Sequence, residues 1–518
     1  MVSRACTLPY VDGQWTERTT KTAQRCILDS LQQDIDWWRH SACPDDHNVD
    51  PPDVESTLCR VRAQNRHTVF TNMILLRSHG GSLSALILVD PNDPRGPRRH
   101  WPGRTIGTLQ QLAELQQSIR DGKLPPLPDF IALVNPHDQP EQLASSGWCG
   151  LLPILSNSRT RGVHRDLLMP DYSFASTMYL TNSLVANMSD QASVPQGWST
   201  ERMKTYRAGA AVNWRDRRKT LFWRGGDTHP ARKTYSDGLT SHRLHLPAGM
   251  KADAFLCDNH CATDQGLPPS GWCGNQALLS LPGHSFAVGF KYTMLCGSLV
   301  VRGAHGSRPC NATSCETARE EFEQWWQAGL RDEDHYVVSR QVDDLPAVLA
   351  RAGQSAEAIG RRGADYAYHV LNPDFILRYW HELLSGYAGL HAWKTPLDVP
   401  ASACERSPPR PPLPTASLNQ LEQTCLKGPK GRCQLSDRFR LAAALTDFVP
   451  ILAPDQIAAE SRTKRGLDRV YSRHVHVLPG RFGGGEGVSA AARAAMNASG
   501  LVGSAQRAGK ALADSNKA

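Results

Sequence analysis

Short continuous apolar runs along this chain alternate with longer segments in which apolar residues recur every three or four positions. The first pattern is that of a strand covered on both faces, the second that of a helix with one face to a core. Runs around Val69-Phe70, Leu86 to Val89, Phe130 to Val134, Pro153 to Leu155, Thr220 to Trp223 and Ser298 to Val301 predict strands. Helical spacing predicts helices near Ile27 to Trp38, over Ile106 to Ile119, over Glu320 to Leu330, and in succession from Asp343 to Tyr387. In the last of these, Ile376, Trp380, Leu383, Leu384 and Tyr387 form one stripe suited to a core. Leu124-Pro-Pro-Leu-Pro128 stops one helix, because proline cannot continue it. Strands and helices alternating in both halves predict an α/β protein with two Rossmann-like, doubly wound domains facing each other across a cleft.

Those patterns divide the chain into four stretches. Residues 1–104 read as an N-terminal extension and the start of a first domain, 105–199 as the body of that domain, and 200–397 as a second domain with closing helices. From about residue 398 the composition changes. Pro400, Pro408, Pro409, Pro411, Pro412 and Pro414 predict an extended linker, and the small and basic residues beyond Gly487 predict a disordered or loosely helical tail. Gly480 to Gly487 lacks the Lys-Ser/Thr of a phosphate loop, so no chemistry is assigned to 398–518.

A length of 518 residues exceeds one core, and a net charge of +8 is spread along the chain rather than blocked. Spread charge fits an anionic small molecule as well as it fits nucleic acid, but no basic motif interleaved with aromatics points to the latter. No apolar run is long enough to span a membrane. No signal peptide is visible near Met1. The 14 cysteines include no Cys-x-x-Cys, which favours disulfides in an oxidising compartment over a zinc site. Asn187, Asn311 and Asn497 begin glycosylation sequons, and Ser-Gly-Trp-Cys-Gly occurs at 146–150 and again at 270–274.

The strongest chemical signal is Thr220-Leu-Phe-Trp-Arg-Gly-Gly-Asp-Thr-His-Pro-Ala-Arg232. A buried strand runs into Gly225 and Gly226, where the backbone can turn and a ligand can approach closely. Arg224 and Arg232 offer planar, permanently charged forks that match phosphate oxygens. Asp138 follows a second buried strand, at the end where catalytic groups of α/β domains collect; before Gln-Pro the residues by themselves favour a turn cap.

Four segments in order, Leu127 to Pro140, Pro153 through Phe174, Phe222 through Arg232 and Phe290 to Val300, resemble glycosyltransferase family 90, the Rumi-like protein O-glucosyltransferases and capsule-associated xylosyltransferases. His335-Tyr-Val-Val338, Asp343-Asp-Leu345 and Arg378 to Leu384 follow the same pattern, so the resemblance spans roughly 105–388. It implies a GT-B fold with the donor in the cleft. It also implies inverting, metal-independent transfer of glucose or xylose from UDP-glucose or UDP-xylose to a hydroxyl of a protein serine or a glycan. It implies no cofactor, and a place in the lumen of the endoplasmic reticulum or Golgi.

The resemblance makes Asp138 the catalytic base. It assigns Arg224, Gly225, Gly226, Arg232, His284, Ser285, Phe286, Lys291 and Ser298 to the donor, and Asp171, Tyr172 and Phe174 to the acceptor side. Three positions depart from the family, the first being Gly226, which stands where a small hydroxyl residue is often found. Gly289 stands where an arginine usually faces the diphosphate, leaving Arg302 or His284 to substitute, and Ala175 stands where a tryptophan follows the phenylalanine. Those departures keep a catalytically weak or inactive sugar- or nucleotide-binding relative as the alternative.

Overall fold

A computed structural model describes residues 6–40, 73–89, 102–175, 197–257, 267–303, 322–390, 448–460 and 470–477, with gaps at 12–13, 143, 145–151, 242–243 and 248, and with Thr57. Val69-Phe70, the three sequons, the 146–150 repeat, the proline segment 400–414 and the glycine run 480–487 lie outside the described residues.

The molecule is a mixed α/β protein with two large sheets. The first is built from strands β1 (Ile74–His79), β2 (Ser82–Val89), β3 (Phe130–Asn135), β4 (Ile154–Ser156) and β6 (Leu167–Leu168), in the order β2-β1-β3-β4-β6. Strands β3, β4 and β6 run parallel, whereas β1 pairs antiparallel with both β2 and β3. This sheet therefore departs from the doubly wound pattern predicted for it. The reason is local: Gly80 and Gly81 adopt φ of 55° and 75°, which closes β1 and β2 into a tight hairpin.

The second sheet is parallel throughout. Its strands are β7 (Arg218–Gly225), β8 (Lys251–Leu256), β9 (Asn275–Ser280), β10 (Leu299–Gly303) and β12 (Val337–Ser339), in the order β12-β10-β9-β7-β8. Leu221, Trp223, Ala277, Leu279, Leu299 and Val301 face helices on one side of it, the burial expected when crossovers cover a parallel sheet.

Helices complete the layers. They are α1 (Glu17–His40), α2 (Pro102–Arg120), α3 (Trp198–Ala210), α4 (Pro230–Thr240), α5 (Phe290–Leu295), α6 (Leu345–Ala352), α7 (Ala356–Asp365) and α8 (Pro373–Ala388). Grouped by the sequence with the second domain, α8 instead packs on the first sheet. Tyr379 Oη donates to Leu168 O at 2.8 Å, Trp380 Nε1 to Gln111 Oε1 at 2.9 Å and Tyr387 Oη to Pro153 O at 3.2 Å. The apolar stripe read from sequence is the face that makes this contact.

Two further expectations are corrected. The helix predicted over Glu320 to Leu330 is a short strand, β11 (Phe322–Glu323), followed by a 3-10 turn (Trp325–Gly329). Here β11 pairs with β5 (Arg159–Thr160), and Glu323 is clamped by Arg159 and Arg161, both at 2.8 Å. Trp325 and Trp326 are buried, so tertiary packing rather than helical period sets this segment. Within 398–518, read as linker and tail, strand β13 (Val449–Pro450), helix α9 (Pro454–Glu460) and strand β14 (Val475–Val477) join the first layer. Both strands pair with β2, and Phe448, Ile451, Ile457, Val470 and Tyr471 enter the core.

Candidate functional site

Asp138 lies three residues past β3, on a loop tied down at several points. Asn135 Nδ2 donates to Gln139 O at 2.7 Å, Asn157 Nδ2 to Pro136 O and His137 O at 3.1 Å each, and Ser158 Oγ to Asp138 O at 3.1 Å. The carboxylate Oδ1 is 2.6 Å from Arg104 Nη1, a side chain at the start of α2 to which the sequence assigned no role. Both side chains stay partly open, at 16% exposure for Arg104 and 19% for Asp138. Tyr172 completes this group: the Arg104 guanidinium stands 5.4 Å from its ring centre. Burial pushes the Tyr172 hydroxyl up to about 12, so it stays protonated at neutral pH.

Arg232 projects from the first turn of α4 back over the end of β7. Its guanidinium donates to Pro282 O at 2.7 Å, Gly226 O at 2.9 Å and Leu281 O at 3.5 Å. Among the described residues no carboxylate forms an ion pair with it. Burial without a partnered anion lowers its pKa to about 10, against the opposing pull of Asp227 and Asp138. A buried cation met by neutral dipoles is a place for an incoming anion. Gly225 is needed here: a Cβ on it would stand 2.6 Å from the Trp223 ring and 3.2 Å from Arg232 Nη1.

Arg224 does not join Arg232. It shares a strand face with Phe222, while Arg232 lies toward Trp223 on the other face. Its guanidinium donates to Asp253 O at 2.6 Å and Asp253 Oδ1 at 2.5 Å, and lies 3.7 Å from the Phe255 ring centre. Alternation along a strand sends neighbouring side chains to opposite faces, and the helix returns its arginine to only one of them.

The loop after β9 approaches the Asp138 loop, and Gln139 Nε2 donates to His284 O at 2.5 Å. Here His284 is exposed, while Ser285 and Phe286 are buried and line a small cavity with Ser280, Phe290 and Arg302. Gly289 is unobstructed, with nothing within 4 Å of where a Cβ would stand. The Arg302 guanidinium donates to Phe322 O at 3.0 Å and lies 5.6 Å from the Phe290 ring centre.

The remaining candidates are internal. Lys291 and Asp171 bury each other at 1% and 0% exposure, with Nζ 3.4 Å from both carboxylate oxygens. Ser173 Oγ is 2.5 Å from that ammonium, and Gln324 Nε2 donates to Asp171 Oδ2 at 3.1 Å. Desolvation pulls the Lys291 pKa down, and the Asp171 charge opposes the shift. Phe174 is packed between Trp198 and Trp325 at 5.1 and 5.4 Å. Ser298 is fully buried, accepting from Arg217 Nη1 at 2.8 Å and donating to Asn275 O at 2.7 Å. The structure thus brings together Asp138, Arg104, Tyr172, Arg232 and the 282–286 loop. It holds Arg224, Lys291, Ser298, Asp171 and Phe174 in contacts of their own. Among the described residues no group of three or more His, Cys, Asp or Glu side chains is gathered to hold a metal ion.

The model of glycosyl transferase family 90 matches residues 98–408. The chain belongs to that family. It is 25% identical over 281 residues to the O-glucosyltransferase rumi of Drosophila pseudoobscura pseudoobscura, covering 51% of this chain and 61% of the fly protein. It is 23% identical over 276 residues to the protein O-glucosyltransferase 1 of Homo sapiens, covering 51% of this chain and 63% of the human one. The chain therefore spans about three fifths of the length of these family 90 relatives. The matched span contains Asp138, Arg104, Tyr172, Arg232 and the 282–286 loop. It is a glycosyltransferase family span, and no helix among the described residues is long and apolar enough to cross a membrane.

Proposed function

We propose that this chain transfers a sugar, glucose or xylose, from a UDP-sugar to the hydroxyl of a protein serine or a glycan. The two sheets act as the halves of a GT-B fold, with the donor between them. The observation that carries this reading is the approach of the two loops, where Gln139 reaches His284 O and brings Asp138 within the field of Arg232. One side offers a carboxylate to take a proton and the other a cation to receive a leaving diphosphate. Inverting transfer needs both, one near the acceptor hydroxyl and one at the departing group.

In this reading Asp138 is the base and Arg232 the principal cation for the diphosphate. His284, Ser285 and Phe286 face the nucleotide, and transfer proceeds without a metal. The disulfides Cys6–Cys26 and Cys273–Cys296, which join described residues, fit folding in an oxidising lumen. Replacing Asp138→Asn leaves UDP affinity in place and lowers release of UDP from UDP-glucose by about 10²- to 10⁴-fold, the worth of a positioned base. Undiminished release sinks the assignment.

One observation favours a second reading, a weak or inactive relative. Arg224 is occupied by Asp253, and Gly289 supplies no side chain, so fewer cations face the donor than the family pattern has. A wild-type protein that binds UDP but releases none from UDP-glucose or UDP-xylose, in EDTA or in added Mn²⁺, establishes that reading instead.

A further inference from the structure

Arg104 reaches Asp138 because the start of α2 is locked against the turn at 171–174. Gly107, three residues along the helix, makes the approach possible: a Cβ there would stand 2.7 Å from Tyr172 O. One turn further, Gln111 Nε2 donates to Asp171 O at 2.8 Å. The same turn is anchored from below by the buried Asp171–Lys291 pair. Arg104, with the Tyr172 ring centre 5.4 Å from its guanidinium, is therefore delivered to one oxygen of the Asp138 carboxylate. The loop carrying that carboxylate is held from the other side by Asn135, Asn157 and Ser158. A guanidinium is always charged and rigidly forked, so it fixes a carboxylate in direction as well as in charge.

We propose that Arg104, steadied by Tyr172, is the positioning residue of the reaction: it holds Oδ1 of Asp138 and so presents Oδ2 to the acceptor hydroxyl. The proposal rests on Asp138 being the base. In the step itself the acceptor proton passes to Oδ2 and the acceptor oxygen bonds to the anomeric carbon. The bond from that carbon to the diphosphate breaks with its electron pair, and UDP leaves. Arg104 exchanges no atom. It keeps the accepting oxygen on the line of transfer, where a displacement of about 1 Å is worth about a hundredfold in rate.

The test compares wild type with Asp138→Asn, Arg104→Ala, Arg104→Lys and Tyr172→Phe. UDP release from UDP-glucose is followed with a serine-bearing peptide and with water alone as acceptor, and UDP affinity is measured by calorimetry. Arg104→Ala is expected to lower kcat about a hundredfold with UDP affinity and donor KM unchanged. Millimolar guanidinium should restore part of that kcat, and none in Asp138→Asn. Arg104→Lys, which keeps the charge but loses the fork, should fall between, and Tyr172→Phe should lose a few-fold.

Wild-type kcat in Arg104→Ala, or a loss confined to donor KM, overturns the proposal. If Arg104→Ala does not fold, wild-type kcat in Arg104→Lys overturns it. A wild type that releases no UDP, or an active Asp138→Asn, removes the base and this proposal with it. An inactive Asp138→Asn beside an unimpaired Arg104→Ala removes only the role of Arg104.

Discussion

Lys291 and Asp171 carry opposite charges into the interior, 120 residues apart in sequence. The ammonium is surrounded by the Phe174, Tyr292 and Trp198 rings, with Nζ 4.4 Å from the nearest ring centre. No water is needed to satisfy Asp171, which also accepts from the Ser173 amide at 2.9 Å and from Gln324 at 3.1 Å. Such a pair costs desolvation when made and far more when halved. Lys291→Met therefore leaves a buried carboxylate without its cation and lowers stability by about 3–5 kcal/mol, read from urea unfolding. The UDP affinity of the folded variant stays at the wild-type value. A variant of full stability that has lost UDP affinity instead returns Lys291 to the donor site. Sequence alone treated the two residues as facing opposite substrates, because neither residue type nor spacing shows that they meet.

Strand β2 shows how an element can depend on distant chain. One edge pairs with β1, and the other is covered in turn by β13 at Ser84 and Ala85 and by β14 from Ile87 to Val89. Arg77 on β1 lies 4.7 Å from the Phe448 ring centre, adding a contact beside the strand pairing. An uncovered edge of Leu-Ile-Leu-Val composition is a template for another chain. A protein ending at residue 447 is therefore expected to aggregate or to melt lower than the full chain, as read by size-exclusion chromatography and thermal unfolding. A monomeric truncated protein of unchanged melting temperature contradicts a structural role for β13 and β14. Composition hid these elements, since each is only two or three residues long and follows a proline-rich stretch.

At the scale of the whole molecule, the N-terminal segment is fastened to the second half through His335. That imidazole is fully buried, with Nε2 2.8 Å from Tyr10 Oη, while Nδ1 accepts from the Arg331 amide at 3.2 Å. Asp334 faces it at 3.8 Å and is itself paired with Arg362 at 2.6 Å. Desolvation lowers the His335 pKa to about 4, with Asp334 opposing. The unfolded chain binds the proton more readily than the folded one, so this contribution is complete above the ordinary value of about 6.5 and is lost as pH falls toward 4. Unfolding free energy is expected to decline over that window, and to decline less in His335→Gln. Equal pH slopes in the two proteins contradict the assignment.

What the sequence determined by itself was local. Strands β3, β7 and β10 and helices α1, α2 and α8 follow from runs and stripes of apolar side chains, since burial acts on each element's own pattern. Asp138 was legible as a polar residue after a buried strand, and Arg232 as a cation after a glycine turn. Tertiary structure decided which of the marked residues share a space. It set Arg104 against Asp138, turned Arg224 away to Asp253 and closed Lys291 on Asp171. It also sent α8 and the strands after residue 448 to the first sheet. Those pairings join residues far apart along the chain, so they arise only when the sheets and helices have packed.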